Sequence, residues 1–466
     1  MKRLVSLDFF RGLTIAGMII VNDPGSWSYV YAPLLHAEWH GATPTDLVFP
    51  FFLFIVGVSI TLSLSKLKSK PSSTIYIKIF KRSLIIFGLG IFLSLFPNFD
   101  FENLRVAGVL QRIALVYLGC SILYLHSNFR SQLYTGIAFL ISYWVFMMFI
   151  PFDGNPAGTL EPGKNFAAWV DSFIVPGRMY QETWDPEGLF STIPAIASGI
   201  SGILCGKIIK DGSEKIIKLF FWGTILLVVA HFWNYIFPIN KHIWTSSYVL
   251  YSSGLAMILL AASMWIIDEK KYTSNIKFGL VFGSNAIVAY VLHGIVWRLF
   301  QFPIISGVGF QKFWMDTGIG LGLPAKFVSF DWAIFYTLII YMIVYQLYKR
   351  KWMALNRSWN ELHRLDAIKA NDDGTRPALP TWGQTTGEQA SQSEIKIPVR
   401  VLKVGLALRT FDFVTNMLNL TSADESTIIN RLRSTVFESS ELLSDTWNNG
   451  VLKSFFINLK VSFLLL

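Results

Sequence analysis

The sequence predicts an all-α fold: a polytopic transmembrane helical bundle of about ten helices, with a small cytosolic C-terminal appendage. Three observations carry that prediction. Hydrophobic residues make up 53% of the 466-residue chain and charged residues only 15%, too apolar a balance for a soluble protein of this length. Apolar runs near the ~20 residues that span a bilayer recur along it. Lys and Arg gather in alternate loops, as the cytosolic ends of membrane helices require. The net charge of +10 therefore reflects topology rather than a nucleic-acid surface, and no nucleic acid is expected as a partner.

The runs lie at about 4–22, 46–65, 79–97, 106–125, 133–150, 190–209, 217–237, 245–267, 279–300 and 331–348. Met-Lys-Arg before the first run resembles a signal peptide, but Asp8 and Arg11 interrupt the apolar stretch, so an uncleaved first helix is expected. Basic residues from Lys2 and Arg3, through Lys66 to Arg82, Arg130, Lys207 to Lys218 and Lys270 to Lys277, to Lys349 and Arg350 fall on one side. The other side holds scattered basics: Arg105, Lys164, Arg178, Lys241, Lys312 and Lys326. Both termini are thereby expected in the cytosol, and the loops at about 151–189 and 301–330 outside. Cys120 and Cys205 lie within apolar runs, so no disulfide is expected. The division expected is a membrane domain over 1–351, a polar linker over 352–397 and an appendage over 398–466.

Ionisable groups inside membrane spans are costly, so each is a functional candidate. Asp8 and Arg11 share a face of the first helix, as a structural ion pair or as ligand contacts. Arg112 follows Arg105 by seven residues, which places both on one side of helix four with Arg112 ~10 Å deeper, facing a polar cavity or a carboxylate. His293 sits deep in helix nine with Asn285 and Arg298 nearby, a satisfied core histidine or a site residue. "WDPEGLF" puts Asp185 and Glu187 just before helix six.

The densest polar group is "LLHAEWHGATPTDLVFPFF", residues 34–52. His36 and His40 have the spacing of a helical metal pair, but Glu38 stands one place away from the H-E-x-x-H pattern, and Gly41 and Pro44 oppose a helix there. No metal is expected. A histidine held by a carboxylate such as Asp46 at the mouth of a bundle suits proton transfer from a nucleophile.

Five stretches in order, "SLDFFRGLTIAGMIIVN", "LLHAEWHGATPTDLVFPFFLFIVGVSI", "LRVAGVLQRIALVYL", "WDPEGLFSTIPA" and "GSNAIVAYVLH", resemble the successive motifs of the heparan-α-glucosaminide N-acetyltransferase family over about residues 1–350. The resemblance implies an acetyl-CoA-dependent N-acetyltransferase that moves an acetyl group from cytosolic acetyl-CoA to the amine of a glucosamine-type sugar on the other face. His36 matches the family's active-site histidine, Asp46 the aspartate of D-L-V-F-P and Asn22 the asparagine closing the first helix. His36 is expected as general base or acyl carrier, with Asp46 orienting its ring. Arg112, Gln111, Asn22 and Arg11 are the candidates for the acetyl-CoA contact; Glu38, His40, Asp185, Glu187, His293 and Asn285 are those for the sugar.

The partners implied are acetyl-CoA, a glucosamine-containing glycan or amino sugar and the lipid bilayer, with a homodimer left open. The Asn22 to His36 interval is a few residues longer than in the human-type motif, and the large luminal domain of the lysosomal enzyme does not precede the first helix. A bacterial-type member in the inner (plasma) membrane is the expectation. A transporter or flippase for an amino sugar or glycan precursor is the alternative, which inverted repeats would favour; none is visible.

Overall fold

In the computed structural model, residues 4–69, 72–303 and 307–350 are described. The linker and appendage expected over 352–466 lie outside the described residues.

Helices α1 (Val5–Asn22), α2 (Val48–Leu64), α3 (Ser73–Leu95), α4 (Val109–His126) and α5 (Phe129–Phe149) are followed by a short hairpin, β1 (Leu160–Glu161) with β2 (Lys164–Asn165), and by α6 (Phe166–Ile174). Then come α7 (Thr192–Asp211), α8 (Lys215–Asn234), α9 (Ser246–Ser263), α10 (Lys277–Ser284), α11 (Ala286–Gln301), α12 (Phe310–Gly320) and α13 (Ala325–Lys349). All ten apolar runs are helical. Among the described residues, eight helices are long and apolar enough to cross a membrane, or nine if the bent pair α10 and α11 counts as one. The remaining run is α3, 23 residues long and carrying Lys78, Lys81 and Arg82 in its first half.

Two expectations are corrected here. The ninth run is not one helix: α10 and α11 meet at an 85° bend. Asn285 stands at the break with non-helical torsions (φ −131°, ψ 39°), so it is not stacked with His293 on one continuous helix. Helix α4 begins at Val109 behind Gly108, so Arg105 precedes it in extended chain that bridges to Gly177, and the seven-residue spacing to Arg112 is not a helical one. The loops at 151–189 and 301–330 are built structure, holding the hairpin and α6 in one and α12 with the start of α13 in the other.

Buried apolar side chains of α1, α2, α4, α7, α9, α11 and α13 form the core, and Cys120 and Cys205 are free thiols within it. Small residues let the central helices touch backbone to backbone, the main route to tight packing where lipid removes the hydrophobic drive between helices. At the α2–α7 crossing a Cβ on Gly57 would lie 1.9 Å from the Gly199 carbonyl oxygen, and one on Gly202 2.0 Å from that of Phe54. Gly57→Ala should therefore force the helices apart and cost about 1–3 kcal/mol, seen as a lower melting temperature in detergent. Gly17→Ala, where a Cβ meets nothing within 4 Å, should leave melting unchanged or raise it. Equal behaviour of the two variants would refute the packing argument. Arg11 belongs to a similar crossing: it pairs with Asp8 and its Nε donates to the Gly283 carbonyl at 2.7 Å, fastening α1 to α10 beside the bend.

Candidate active site

The loop from Leu35 to Leu47 is wound around one carboxylate. Pro44 opens a single 3-10 turn, Pro44–Leu47, that leads into α2, and Thr43 with Asp46 forms its capping box. Asp46 Oδ2 accepts from the Thr43 N–H at 2.9 Å, the Ala37 N–H at 3.0 Å and the Thr43 hydroxyl at 3.1 Å. Its Oδ1 meets Nδ1 of His36 at 2.6 Å. The Asp46 side chain has no exposure, whereas that of His36 is 32% exposed. The carboxylate thus fixes Nδ1–H toward itself and leaves Nε2 as the nitrogen that an incoming group can reach. Tyr248 of α9 donates its hydroxyl proton to the Asp46 carbonyl and so ties the loop to the bundle.

The second half of the site comes from the turn before α9. The Asn240 N–H donates to Thr245 Oγ1 at 3.0 Å, the Thr245 N–H returns to the Asn240 carbonyl at 3.1 Å, and Asn240 Oδ1 accepts from the Ile243 N–H at 3.2 Å. The Gly41 N–H donates to the Ile239 carbonyl at 2.7 Å, joining the turn to the His36 loop. Lys241 Nζ consequently lies 2.9 Å from Nδ1 and 3.2 Å from Nε2 of His36, and 3.6 Å from Asp46 Oδ1. His242 stacks on Trp39 with ring centroids 5.3 Å apart, and Trp184 packs edge-on against both. His242 meets the Ala37 carbonyl at 3.1 Å, and burial lowers its pKa.

The other expected residues are placed as follows. Glu38 is exposed at the rim; His40 contacts Asn240 Nδ2 at 3.3 Å rather than sharing a helix face with His36, and partial burial lowers its pKa. Asp185 and Glu187 are held by Arg105, through two bonds to Asp185 at 2.6 and 2.7 Å and one to Glu187 at 2.6 Å. That pairing keeps the Asp185 carboxyl below its usual range against the opposing effect of burial. Arg112 faces no carboxylate directly: Nη2 donates to the Gly188 carbonyl at 2.8 Å and to Ser191 Oγ at 2.5 Å, and its guanidinium lies 5.1 Å from the Trp244 ring centroid. Gln111 is buried beside Gly90 and Gly108. Asn22 is the exposed last residue of α1. His293 is paired through Nδ1 with Asp23 at 3.0 Å, away from the His36 cluster in its bonding.

Lys241, His242 and Asp23 escape the sequence reading. Lys241 had a usable signal, since it is one of few basic residues in loops otherwise poor in them. Asp23 had none, because nothing local joins it to a histidine 270 positions on.

Beside this cluster, burial lifts the Asp171 carboxyl to about 6, although the Phe190 N–H at 2.9 Å and the charge of Arg112 favour ionisation. The folded value exceeds the ordinary 3.8, so ionisation penalises the fold, fully above about pH 6 and not below about pH 4. Asp171→Asn should therefore raise the melting temperature at pH 8 and lose that advantage at pH 4. An equal shift at both pH values would exclude the buried charge as its cause.

Residues 3–222 match the model of the family described as heparan-alpha-glucosaminide N-acetyltransferase, catalytic. The heparan-alpha-glucosaminide N-acetyltransferase of Mus musculus is 28% identical over 363 residues, covering 65% of this chain and 55% of the mouse protein. The Homo sapiens protein of the same name is 28% identical over 362 residues, covering 64% and 54%. The match spans little more than half the length of these relatives. Within the matched region fall His36, Asp46, Arg105, Arg112, Asp185 and Glu187; Lys241 and His242 lie beyond it.

Proposed function

We propose that the chain is a transmembrane acetyltransferase, moving an acetyl group from acetyl-CoA to the amine of a glucosamine-type sugar. The observation that carries this reading is the His36 ring, part exposed yet bonded at 2.6 Å to a wholly buried carboxylate, inside residues that match the family. The acetyl group and the glucosaminide acceptor follow the names of the relatives and the family, and acetyl-CoA is the donor that acetyltransferases in general use.

An ammonium has no lone pair to attack a thioester, so the acceptor amine must lose a proton first. Imidazole is the side chain best suited to take it near neutral pH, and Nε2 is the nitrogen not committed to Asp46. Asp46 stabilises the imidazolium that results and holds the ring in the reactive tautomer. An acyl-imidazole on the same nitrogen would give ping-pong kinetics, so initial-rate patterns in both substrates assign the order of transfer. In this reading acetyl-CoA is supplied from the cytosolic side and the sugar from outside, as the family resemblance implies.

A second reading, a carrier for an amino sugar, is favoured by one feature: the bend between α10 and α11, since broken helices line the binding sites of transporters. Purified protein in detergent with acetyl-CoA and glucosamine should release CoA and form N-acetylglucosamine. Glucosamine uptake into proteoliposomes without CoA release would overturn the acetyltransferase in favour of the carrier.

A further inference from the structure

We propose that Lys241 is a catalytic residue of this site, the cation that donates a hydrogen bond to the carbonyl oxygen of the transferred acetyl group as negative charge builds there. The proposal rests on the acetyltransferase reading above.

A lysine beside an aspartate is ordinarily a plain ion pair, but Asp46 does not need this one. Its oxygens already take the His36 ring N–H, the Ala37 and Thr43 N–H groups and the Thr43 hydroxyl. Lys241 stands outside that set, at 3.6 Å from Oδ1, and much closer to the imidazole, at 2.9 and 3.2 Å from its nitrogens. Its side chain is only 15% exposed. Burying an ammonium is costly and pulls its pKa down; the charges of Asp46 and Glu187 act against that.

The turn that carries Lys241 is built to hold it. Besides the three bonds between Asn240, Ile243 and Thr245, it contains Trp244 at φ 51°, in the left-handed region that a bulky residue rarely adopts. Trp244 is locked there by Phe49, Tyr248 and Arg112 and by a bond from its indole N–H to Ser198 Oγ at 3.2 Å. Strain of this kind, of order 1–3 kcal/mol, persists where surrounding structure imposes it and clusters at functional sites.

The reaction then balances as follows. The amine nitrogen attacks the thioester carbon while Nε2 of His36 takes its proton, and the C=O π pair moves onto oxygen. That oxygen lies two bonds from the amine nitrogen, in reach of an ammonium 3.2 Å from Nε2. The N–H of Lys241 bonds to it without transferring its proton. As the carbonyl re-forms, the C–S bond breaks and the CoA thiolate takes the proton back from His36. The products are the amide and CoA, with Lys241 unchanged.

The test is steady-state kinetics of the full chain bearing Lys241→Met or Lys241→Arg. Loss of one such donor costs ~10²–10³-fold in kcat, and Lys241→Met should show that loss with the KM for acetyl-CoA little changed. Lys241→Arg, which keeps the charge, should recover part of it. Turnover of Lys241→Met near the wild type, or a Lys241→Arg variant no better than Lys241→Met, overturns the proposal. If Lys241→Met does not fold, Lys241→Gln is read in the same way. Wild-type protein that releases no CoA would instead refute the acetyltransferase reading.

Discussion

His36→Ala is expected to lower acetyl transfer by at least ~10³-fold while the protein still folds. In the proposed mechanism the loss follows from removing the group that takes the amine proton. The surviving fold follows from the geometry, because Asp46 keeps three other donors, the Ala37 and Thr43 N–H groups and the Thr43 hydroxyl. The ring is also part exposed, so its removal opens no sealed cavity. CoA release by the purified variant, read beside its melting curve in detergent, checks both halves. Turnover close to wild type in a folded variant would remove His36 from the mechanism.

Asp46→Asn should be as damaging, by about 10³–10⁴-fold, for a different reason. A carboxylate offers two accepting oxygens to four donors here, whereas an amide offers one and adds two donors of its own. If the amide oxygen faces the Ala37 and Thr43 N–H groups, the NH₂ points at His36. Nδ1 must then accept, and the proton moves to Nε2, where it blocks uptake from the amine. If the amide is turned over, two backbone N–H groups meet a donor and the start of α2 loosens. In the first arrangement kcat falls with the melting temperature almost unchanged; in the second both fall. A variant that keeps a tenth of wild-type kcat would contradict the role given to Asp46.

The legible parts of this molecule are those written in short stretches of chain. Apart from the ninth, each apolar run is a helix because some twenty apolar residues in lipid have no other way to satisfy their backbone. The His36–Asp46 pair was legible because ten residues of loop, closed by the Thr-Pro-Thr-Asp capping box, bring the two together. The bend at Asn285 was not, since the apolar run passes through it unbroken. Arg105 misled for a related reason: a seven-residue spacing has meaning only inside a helix, and α4 starts too late to include it. Lys241 could be noticed as a rare basic residue but not placed, because its neighbour is 205 positions away.

That separation bears on how the protein is made. The Thr43–Asp46 box and the His36 ring can settle once α2 is inserted, while Lys241 is still being synthesised behind α8. A chain halted at the end of α8 would carry the base without its cation, and the site would be completed only when the Gly41 N–H met the Ile239 carbonyl. In the proposed mechanism, competence is therefore delayed until α1–α8 and the turn after them have been made, which keeps a reactive centre from forming on an unfinished translation product.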